Sequence, residues 1–236
     1  MLYKNVHLEG FGYHLPEEVL SSTAIEDRLS PHLAALGLER GRIEELTGIK
    51  ERRIWPIGTR PSTLAAASAK KAMESAKVSP KEIDLIIHTG VCRDALEPAT
   101  ASVVHHLLGL EPHCASFDVS NACVGFLNGL LIASNYIELG LIRTALVVSG
   151  ENAGPLYEDT IELLRKSPSK ENLRKNLASL TLGSAATAFI LKRREYSNTT
   201  HRLIGGIMQT DSASHGVCEG NGNIYHLSMQ TDTEAL

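Results

Sequence analysis

Cys123 lies in a sequence context that is typical of a catalytic nucleophile. Residues 117–126 read FDVSNACVGF, so Cys123 lies between an apolar run that predicts a strand and another that predicts a helix. This strand–turn–helix order is that of a nucleophile elbow, in which a sharp turn presents the reactive side chain to a cleft. The first amides of a helix lack partners and carry the positive end of its dipole, which favours a thiolate. A thiolate there could attack a thioester carbonyl, and the free amides could stabilise the resulting oxyanion by about 3 kcal/mol per donor.

The same residues also fit an ordinary place in the core. Cysteine is among the most frequently buried residue types and often acts only as a small hydrophobe. The small residues Ala122, Gly125 and Gly129 leave room either for close helix packing or for a substrate tail. From the residues alone, the nucleophile and core interpretations of Cys123 therefore both remain open.

The spacing of the other three cysteines does not indicate a functional site. Cys92, Cys114 and Cys218 are predicted to be small buried hydrophobes. The chain contains no C-x-x-C pair, so no zinc or other metal site is expected.

The composition narrows the possible classes of protein. The chain has 236 residues, with 43% hydrophobic and 21% charged residues, as in ordinary globular proteins. A net charge of -4 argues against nucleic-acid binding. There is no apolar run of the roughly 20 residues that a membrane helix needs, and residues 1–10 contain no apolar signal core. A cytoplasmic protein without a membrane span is therefore expected.

Apolar strands and helices alternate along the chain. The predicted strands are 3–12, 84–90, 115–119, 144–149, 182–193 (one strand or a pair) and 203–210. The predicted helices are 22–36, capped by Ser22 or Thr23, then 42–46, 61–76, 98–108, 123–139, 157–166 and 170–177. Continuous apolar strands between helices predict a parallel sheet covered on both faces. The helix at 123–139 is apolar all round and is expected at the centre of the fold, whereas 157–166 and 170–177 are expected at the surface.

Two motifs together resemble a known family. Residues 47–53 (TGIKERR) and 121–126 (NACVGF) are similar to signatures of the ketoacyl-acyl-carrier-protein synthase III family of the thiolase superfamily. The resemblance implies an α/β, thiolase-like layered αβαβα fold of two similar halves, a homodimer, and acylation of Cys123. On this basis residues 1–198 are predicted to form a complete first half, and residues 199–236 the start of a truncated second half.

A further stretch resembles one branch of that family. Residues 91–102 (VCRDALEPATAS) and 180–183 (LTLG) are similar to enzymes of bacterial olefin synthesis that join two fatty acyl-CoA chains head to head. The resemblance implies that Glu97 reaches the partner subunit's active site as a catalytic base. Joining two acyl thioesters without loss of CO2 requires removal of a proton alpha to a carbonyl, which a shielded carboxylate can perform. Alternatively, Glu97 beside Pro98 would only begin a helix and complement its dipole.

The sequence also departs from the family pattern. Initiating synthases carry a tryptophan and an arginine where Arg42 and Leu46 stand, so their mode of carrier binding is not expected to transfer. No counterpart of the family's later catalytic histidine and asparagine is found. The chain is therefore expected to be an amino-terminal piece, inactive alone. The substrates are expected to be acyl-CoA or acyl-carrier-protein thioesters, with no cofactor.

Three functions remain as hypotheses. The first is a transferase of lipid metabolism that performs Claisen condensation through an acyl-cysteine, joining two acyl-CoAs without decarboxylation. The second is a decarboxylative 3-oxoacyl-ACP synthase III that initiates fatty-acid or polyketide chains. The third is a non-catalytic partner subunit that shapes an acyl channel, against which the retained cysteine argues.

Overall fold

The computed structural model describes residues 1–37 and 39–231. This part of the chain forms two compact units that alternate along the sequence. The first, here called the sheet unit, contains residues 1–15, 60–151 and 185–209; the second unit contains the described residues of 16–59, 152–184 and 210–231. The predicted division at residue 198 stays a prediction, and the end of its second part, 232–236, lies outside the described residues.

The helices and strands follow one another in a mixed order. The strands are β1 (Val6–His14), β2 (Val19–Ser21), β3 (Glu51–Arg53), β4 (Leu85–His88), β5 (Ala115–Asp118), β6 (Thr144–Glu151), β7 (Ala185–Arg193), β8 (Cys218–Gly222) and β9 (Leu227–Thr231). The α-helices are α1 (Ser22–Ala35), α2 (Arg42–Thr47), α3 (Pro61–Ala76), α4 (Thr100–Leu108), α5 (Gly125–Glu138), α6 (Gly154–Lys166) and α7 (Lys170–Asn176). Most predicted elements are therefore present, and α3 has the predicted bounds.

The sheet unit contains a five-stranded sheet in the order β1-β7-β6-β4-β5. Strand β4 is parallel to both β5 and β6, whereas β7 is antiparallel to β6 and to β1. The prediction of a wholly parallel sheet is therefore wrong for β1 and β7. The reason is visible in β1, an edge strand whose exposed Phe11 and Tyr13 alternate with buried glycines, a pattern typical of antiparallel strands.

The structure decides between two alternatives and corrects one predicted strand. The segment 182–193, predicted as one strand or a pair, contains the single strand β7. The segment 203–210 forms no strand and takes part in one isolated bridge, between Gly205 and Leu2. Gly205 has a φ of 155°, which few side chains allow, and glycine in a strand interior weakens pairing.

Helices cover both faces of this sheet. The alanine-rich helix α3 and helix α4 pack on one face, and α5 packs on the other. The prediction that α5 is buried all round is wrong, because one side of it packs on the sheet while Leu127, on the other side, is 60% exposed. The two exposed residues of α5, Leu127 and Tyr136, are apolar or aromatic, so their types alone did not distinguish the two sides.

Glycine allows α5 to approach the sheet closely. A Cβ at Gly129 would lie 2.5 Å from Cγ2 of Thr89 and 3.0 Å from Cγ1 of Val147. Thr89 cannot turn away freely, since its hydroxyl donates a hydrogen bond to the carbonyl of Val148. Helix α5 is thus held in a fixed place against the sheet.

Substituting Gly129 should therefore be costly. We expect Gly129→Ala to lower the free energy of unfolding by about 1–3 kcal/mol, because an added methyl group overpacks this contact. Gly216→Ala is a matched control, since a Cβ there meets nothing within 4 Å. Urea unfolding of both variants measures the difference, and equal stability of the two would contradict the close packing.

The second unit has its own apolar core, to which α1 and α6 contribute. Ile25 and Leu29 of α1 pack with Tyr157 and Ile161 of α6, all almost fully buried. The helix predicted at the surface over 157–166 has one side in this core, while Glu162 and Arg165 on its other side are exposed. The cap of α1 also differs from the prediction: the hydroxyl of Ser21 accepts the amide proton of Ala24.

The TGIKERR motif has a structural place in the second unit. Gly48 ends α2 with a φ of 69°, and the following residues lead into β3. Arg52 is buried, and its guanidinium donates hydrogen bonds to the hydroxyl of Ser22 and the carbonyl of Leu20. Burial lowers the pKa of Arg52, and burial raises the pKa of Tyr157 to about 12. The motif thus joins the start of α1 to the β2–β3 pair.

Among the described residues, no helix is both long enough and apolar enough to cross a bilayer.

Candidate active site

Cys123 lies on a strained turn between β5 and α5. Strand β5 ends at Asp118, a short 3-10 turn covers Ala122–Val124, and α5 begins at Gly125. Ala122 has a φ of 43°, a left-handed conformation that costs a non-glycine residue about 1–2 kcal/mol. Cys123 is exposed, so the alternative that it is a core residue is wrong. The predicted strand–turn–helix arrangement is present; the catalytic role of Cys123 stays a prediction.

Some of the backbone amides next to Cys123 already donate hydrogen bonds and are not free to stabilise an oxyanion. The amide of Val124 donates to the carbonyl of Asn121 at 3.1 Å, and that of Gly125 donates to the carbonyl of Ala122. The prediction of a helix that begins at Cys123 with open amides is therefore wrong in detail, because the 3-10 turn intervenes and uses two of them.

The turn is pressed against the end of β4. A Cβ at Gly125 would lie 2.8 Å from the carbonyl oxygen of Thr89, the residue that follows β4. A backbone atom cannot move aside as a flexible side chain can. The first residue of α5 must therefore be small, and this places the Cys123 turn at the carboxyl end of β4.

Carboxylates anchor the loop that carries Glu97. The carboxylate of Glu151, at the end of β6, accepts the amide protons of Val91 at 2.7 Å and Cys92 at 3.0 Å. Further along, the carboxylate of Asp94 accepts hydrogen bonds from the amide and the hydroxyl of Ser62, at 2.9 and 2.6 Å. Sequence reasoning missed both anchors. The 91–98 loop, as we call it, is thus fixed before its tip.

The tip of the 91–98 loop points to solvent. Leu96 is 90% exposed, and the neighbouring Glu97 is exposed as well. The Glu97 side chain makes no hydrogen bond or ion pair with any residue that the structure describes. An exposed carboxylate on an anchored loop can act on a group brought to it from outside this chain.

Asp118, not Glu97, serves the start of α4. Its carboxylate accepts the amide protons of Thr100 at 2.9 Å and Ala101 at 2.8 Å. This is the interaction that a helix start favours, and it satisfies two otherwise unpaired donors. Asp118 thus provides the capping contacts, and both alternatives for Glu97, catalytic base or complement to the helix dipole, stay predictions.

A buried histidine lies beneath these loops. His88 is 1% exposed, and its Nδ1 is 3.9 Å from Oδ1 of Asp118. Burial lowers the pKa of His88, and the nearby carboxylates of Asp118 and Asp94 oppose this effect. A Cβ at Gly90 would lie 2.8 Å from Cε1 of the imidazole. A neutral imidazole thus supports the start of the 91–98 loop from below, and no sequence motif marked it.

The candidate residues share one edge of the sheet. The 91–98 loop follows β4, the Cys123 turn follows β5, and Glu151 ends β6, three parallel strands in contact. Parallel strands end at the same edge, and ligands of α/β proteins bind beyond those carboxyl ends. The structure therefore brings the loop with Glu97 and the turn with Cys123 to the same side of the sheet unit.

The other cysteines differ in exposure. Cys114 is buried as predicted, and burial, reinforced by the carboxylate of Asp84, raises its pKa to about 12. Cys218 is exposed on the β8–β9 pair, so its predicted burial is wrong. The strand that contains it is short and rich in glycine and asparagine, and all five of its residues are exposed.

This difference predicts selective alkylation. Because the raised pKa keeps Cys114 protonated at pH 8, we expect iodoacetamide to modify it at least about a hundredfold more slowly than Cys123. Peptide mass mapping over time measures both rates. In urea, which exposes the core, Cys114 should react as fast as the others; equal rates in the folded protein would contradict the assignment.

Comparisons with known proteins define the class. Residues 117–212 match the family model described as 3-Oxoacyl-[acyl-carrier-protein (ACP)] synthase III. The Acyl-CoA:acyl-CoA alkyltransferase of Xanthomonas campestris pv. campestris is 38% identical over 237 residues, covering 100% of this chain and 69% of that protein. The chain therefore belongs to the 3-oxoacyl-ACP synthase III family of condensing acyltransferases, which confirms the resemblance seen in the motifs.

Within that family, alkyltransferases match the whole chain. The Acyl-CoA:acyl-CoA alkyltransferase of Shewanella oneidensis is 37% identical over 100% of this chain and 70% of its own length. The Beta-ketoacyl-[acyl-carrier-protein] synthase III of Desulfitobacterium hafniense is 36% identical, but over only 66% of this chain.

Solved structures agree with this placement. A structure of Xanthomonas campestris OleA with bound lauric acid and lauroyl-CoA has a TM-score of 0.93 at 37% identity, covering 100% of this chain and 69% of that one. Cerulenin-bound OleA gives a TM-score of 0.95 at 38% identity, with 100% and 68% covered. The predicted thiolase-like α/β fold is thereby confirmed.

Proposed function

We propose that this protein joins two fatty acyl-CoA molecules head to head by non-decarboxylative Claisen condensation. The single observation that carries the proposal is the 91–98 loop. The carboxylates of Asp94 and Glu151 hold this loop in place through hydrogen bonds, and Glu97 is exposed at its tip. The loop lies at the same sheet edge as the exposed Cys123. A condensation without loss of CO2 needs both a nucleophile and a base, and these two residues supply them.

The first half-reaction uses Cys123. Its thiolate attacks the thioester carbonyl of the first acyl-CoA, a carbon–sulfur bond to the enzyme forms, and coenzyme A leaves as its thiolate. The strained turn at Ala122 and the exposure of the thiol make the sulfur accessible for this attack.

The second half-reaction uses Glu97. Its carboxylate takes a proton from the carbon alpha to the carbonyl of the second acyl-CoA. The resulting carbanion attacks the acyl-cysteine carbonyl, a carbon–carbon bond forms, and the carbon–sulfur bond to Cys123 breaks. The product is a 2-alkyl-3-oxoacyl-CoA, the cysteine thiolate is restored, and no CO2 is released.

The residues of the second unit favour coenzyme A over a carrier protein. Initiating synthases are expected to grip the donor through a tryptophan and an arginine where Arg42 and Leu46 stand. Arg42 instead pairs with Glu45 at 2.7 Å, and Leu46 is exposed. The whole-chain match to relatives named as acyl-CoA:acyl-CoA alkyltransferases supports the same choice.

We further infer a homodimer in which Glu97 enters the partner's active site. The isolated carboxylate of Glu97 and the exposed Leu96 beside it support such a contact. A cytoplasmic location and a role in lipid metabolism remain predictions.

Product analysis tests the proposal. The protein is incubated either with lauroyl-CoA alone or with lauroyl-CoA and a malonyl-carrier protein, and products are measured by mass spectrometry. We expect a product with two acyl chains and one coenzyme A from lauroyl-CoA alone. A product formed only with the malonyl donor would favour the decarboxylative alternative, and absence of any protein-bound acyl group would favour the non-catalytic one.

A further inference from the structure

A hydrogen bond between the side chains of Asn121 and Asn128 spans the Cys123 turn. The side-chain amide of Asn121, two residues before the cysteine, donates to Oδ1 of Asn128 at 2.6 Å. Asn128 lies in the first part of α5, so this hydrogen bond links the two ends of the segment that contains the left-handed Ala122. We infer that Asn128 is a positioning residue that holds the Cys123 turn in its reactive conformation. The inference rests on the proposed role of Cys123.

Asn128 is itself held in place. Its amide nitrogen lies 3.1 Å from Sδ of Met208, within reach of a weak hydrogen bond. The residues on either side in the helix, Gly125 and Gly129, seat α5 against Thr89 with no room for a side chain. The acceptor on Asn128 is therefore fixed relative to the sheet, and the Asn121 side chain is fixed through it.

The strained turn needs such a support. A left-handed alanine persists only where its surroundings prevent relaxation. The Asn121–Asn128 hydrogen bond is a side-chain contact that spans this residue, and Asn121 is exposed while Asn128 is half-buried. A hydrogen bond between solvent-accessible amides contributes little to folding, so its loss should affect the geometry of the turn and not the stability of the protein.

The test compares Asn121→Ala, Asn128→Ala and the double variant. We expect each single variant to acylate Cys123 about ten- to a hundredfold more slowly than the wild type, as for a reacting group that is displaced by about 1 Å. The double variant should be no slower than either single variant, because the two residues act through one bond. Thermal unfolding should remain unchanged, and Asn221→Ala, an exposed asparagine of the second unit, is the matched control.

The conservative variant Asn128→Asp separates positioning from other effects. It keeps the acceptor oxygen for Asn121 but adds a negative charge near the thiol, which disfavours the thiolate. We expect its alkylation and acylation profiles to move to higher pH, with rates at high pH within about threefold of the wild type. Asn128→Ala should stay slow at every pH.

Two results would overturn the inference: an Asn128→Ala variant that acylates at the wild-type rate, or additive losses in the double variant. Cys123→Ala is measured in parallel. If that variant still acquires an acyl group, the proposed nucleophile is wrong. If it does not while Asn128→Ala acylates normally, the proposed function stands and only the positioning role fails.

Discussion

Replacing Cys123 by alanine is expected to abolish covalent acylation of the protein by lauroyl-CoA. The thiol is exposed on a turn that ends at the carboxyl edge of the sheet, and no other group there is assigned to attack the thioester. The acylation rate should fall by about three orders of magnitude or more, as when a nucleophile is removed from an enzyme. Intact-protein mass spectrometry detects the adduct directly, and stability should change by less than about 0.5 kcal/mol because the site is exposed.

Cys218→Ala is the matched control for this experiment. Cys218 is also exposed, so the variant removes one accessible thiol and leaves the Cys123 turn intact. It should acquire the acyl group at the wild-type rate. An adduct that persists in Cys123→Ala, or disappears in Cys218→Ala, would remove Cys123 from the mechanism.

Glu97→Gln should stop condensation while leaving acylation of Cys123 intact. Glutamine has nearly the same shape as glutamate but cannot accept the alpha proton, so the rate of product formation should fall about 10²–10⁴-fold. The first half-reaction does not need this base. The variant should therefore accumulate the acyl-cysteine, which mass spectrometry distinguishes from a general loss of activity.

Glu171→Gln is the control for Glu97→Gln. Glu171 is an exposed carboxylate of α7 that pairs with Lys175 on the same helix, and its loss should leave condensation unchanged. A Glu97→Gln enzyme that condenses two acyl-CoAs at the wild-type rate would contradict the assignment of the base. A loss of both half-reactions would indicate that Glu97 supports the structure of the site and is not its base.

Local signals in the sequence predicted most of the elements. Helix α3 was predicted at 61–76 because Pro61 suits the first turn and the alanines that follow favour helix. Strand β4 was predicted from its run of leucine and isoleucine, and it is fully buried. These features depend on neighbouring residues, so a single sequence contains the information.

Features that depend on distant pairing were not predicted. The direction of β7 and the side of α6 that is buried depend on which partners the chain meets, and apolar residues alone do not specify this. The same holds for the site. Cys123 was marked by its motif, whereas the anchoring role of Glu151 appears only when β4 and β6 pair and bring its carboxylate to residues 91 and 92.

Because the 91–98 loop is anchored partly through its main chain, some of its side chains can change during evolution without loss of the anchor. At Val91 and Cys92, the carboxylate of Glu151 holds main-chain amides, which every residue except proline possesses. The exposed side chains of Val91 and Leu96 can therefore change while the path of the main chain and the proposed base Glu97 are kept. New acyl preferences or new partners could arise by exchanging a few residues here, without rebuilding the scaffold.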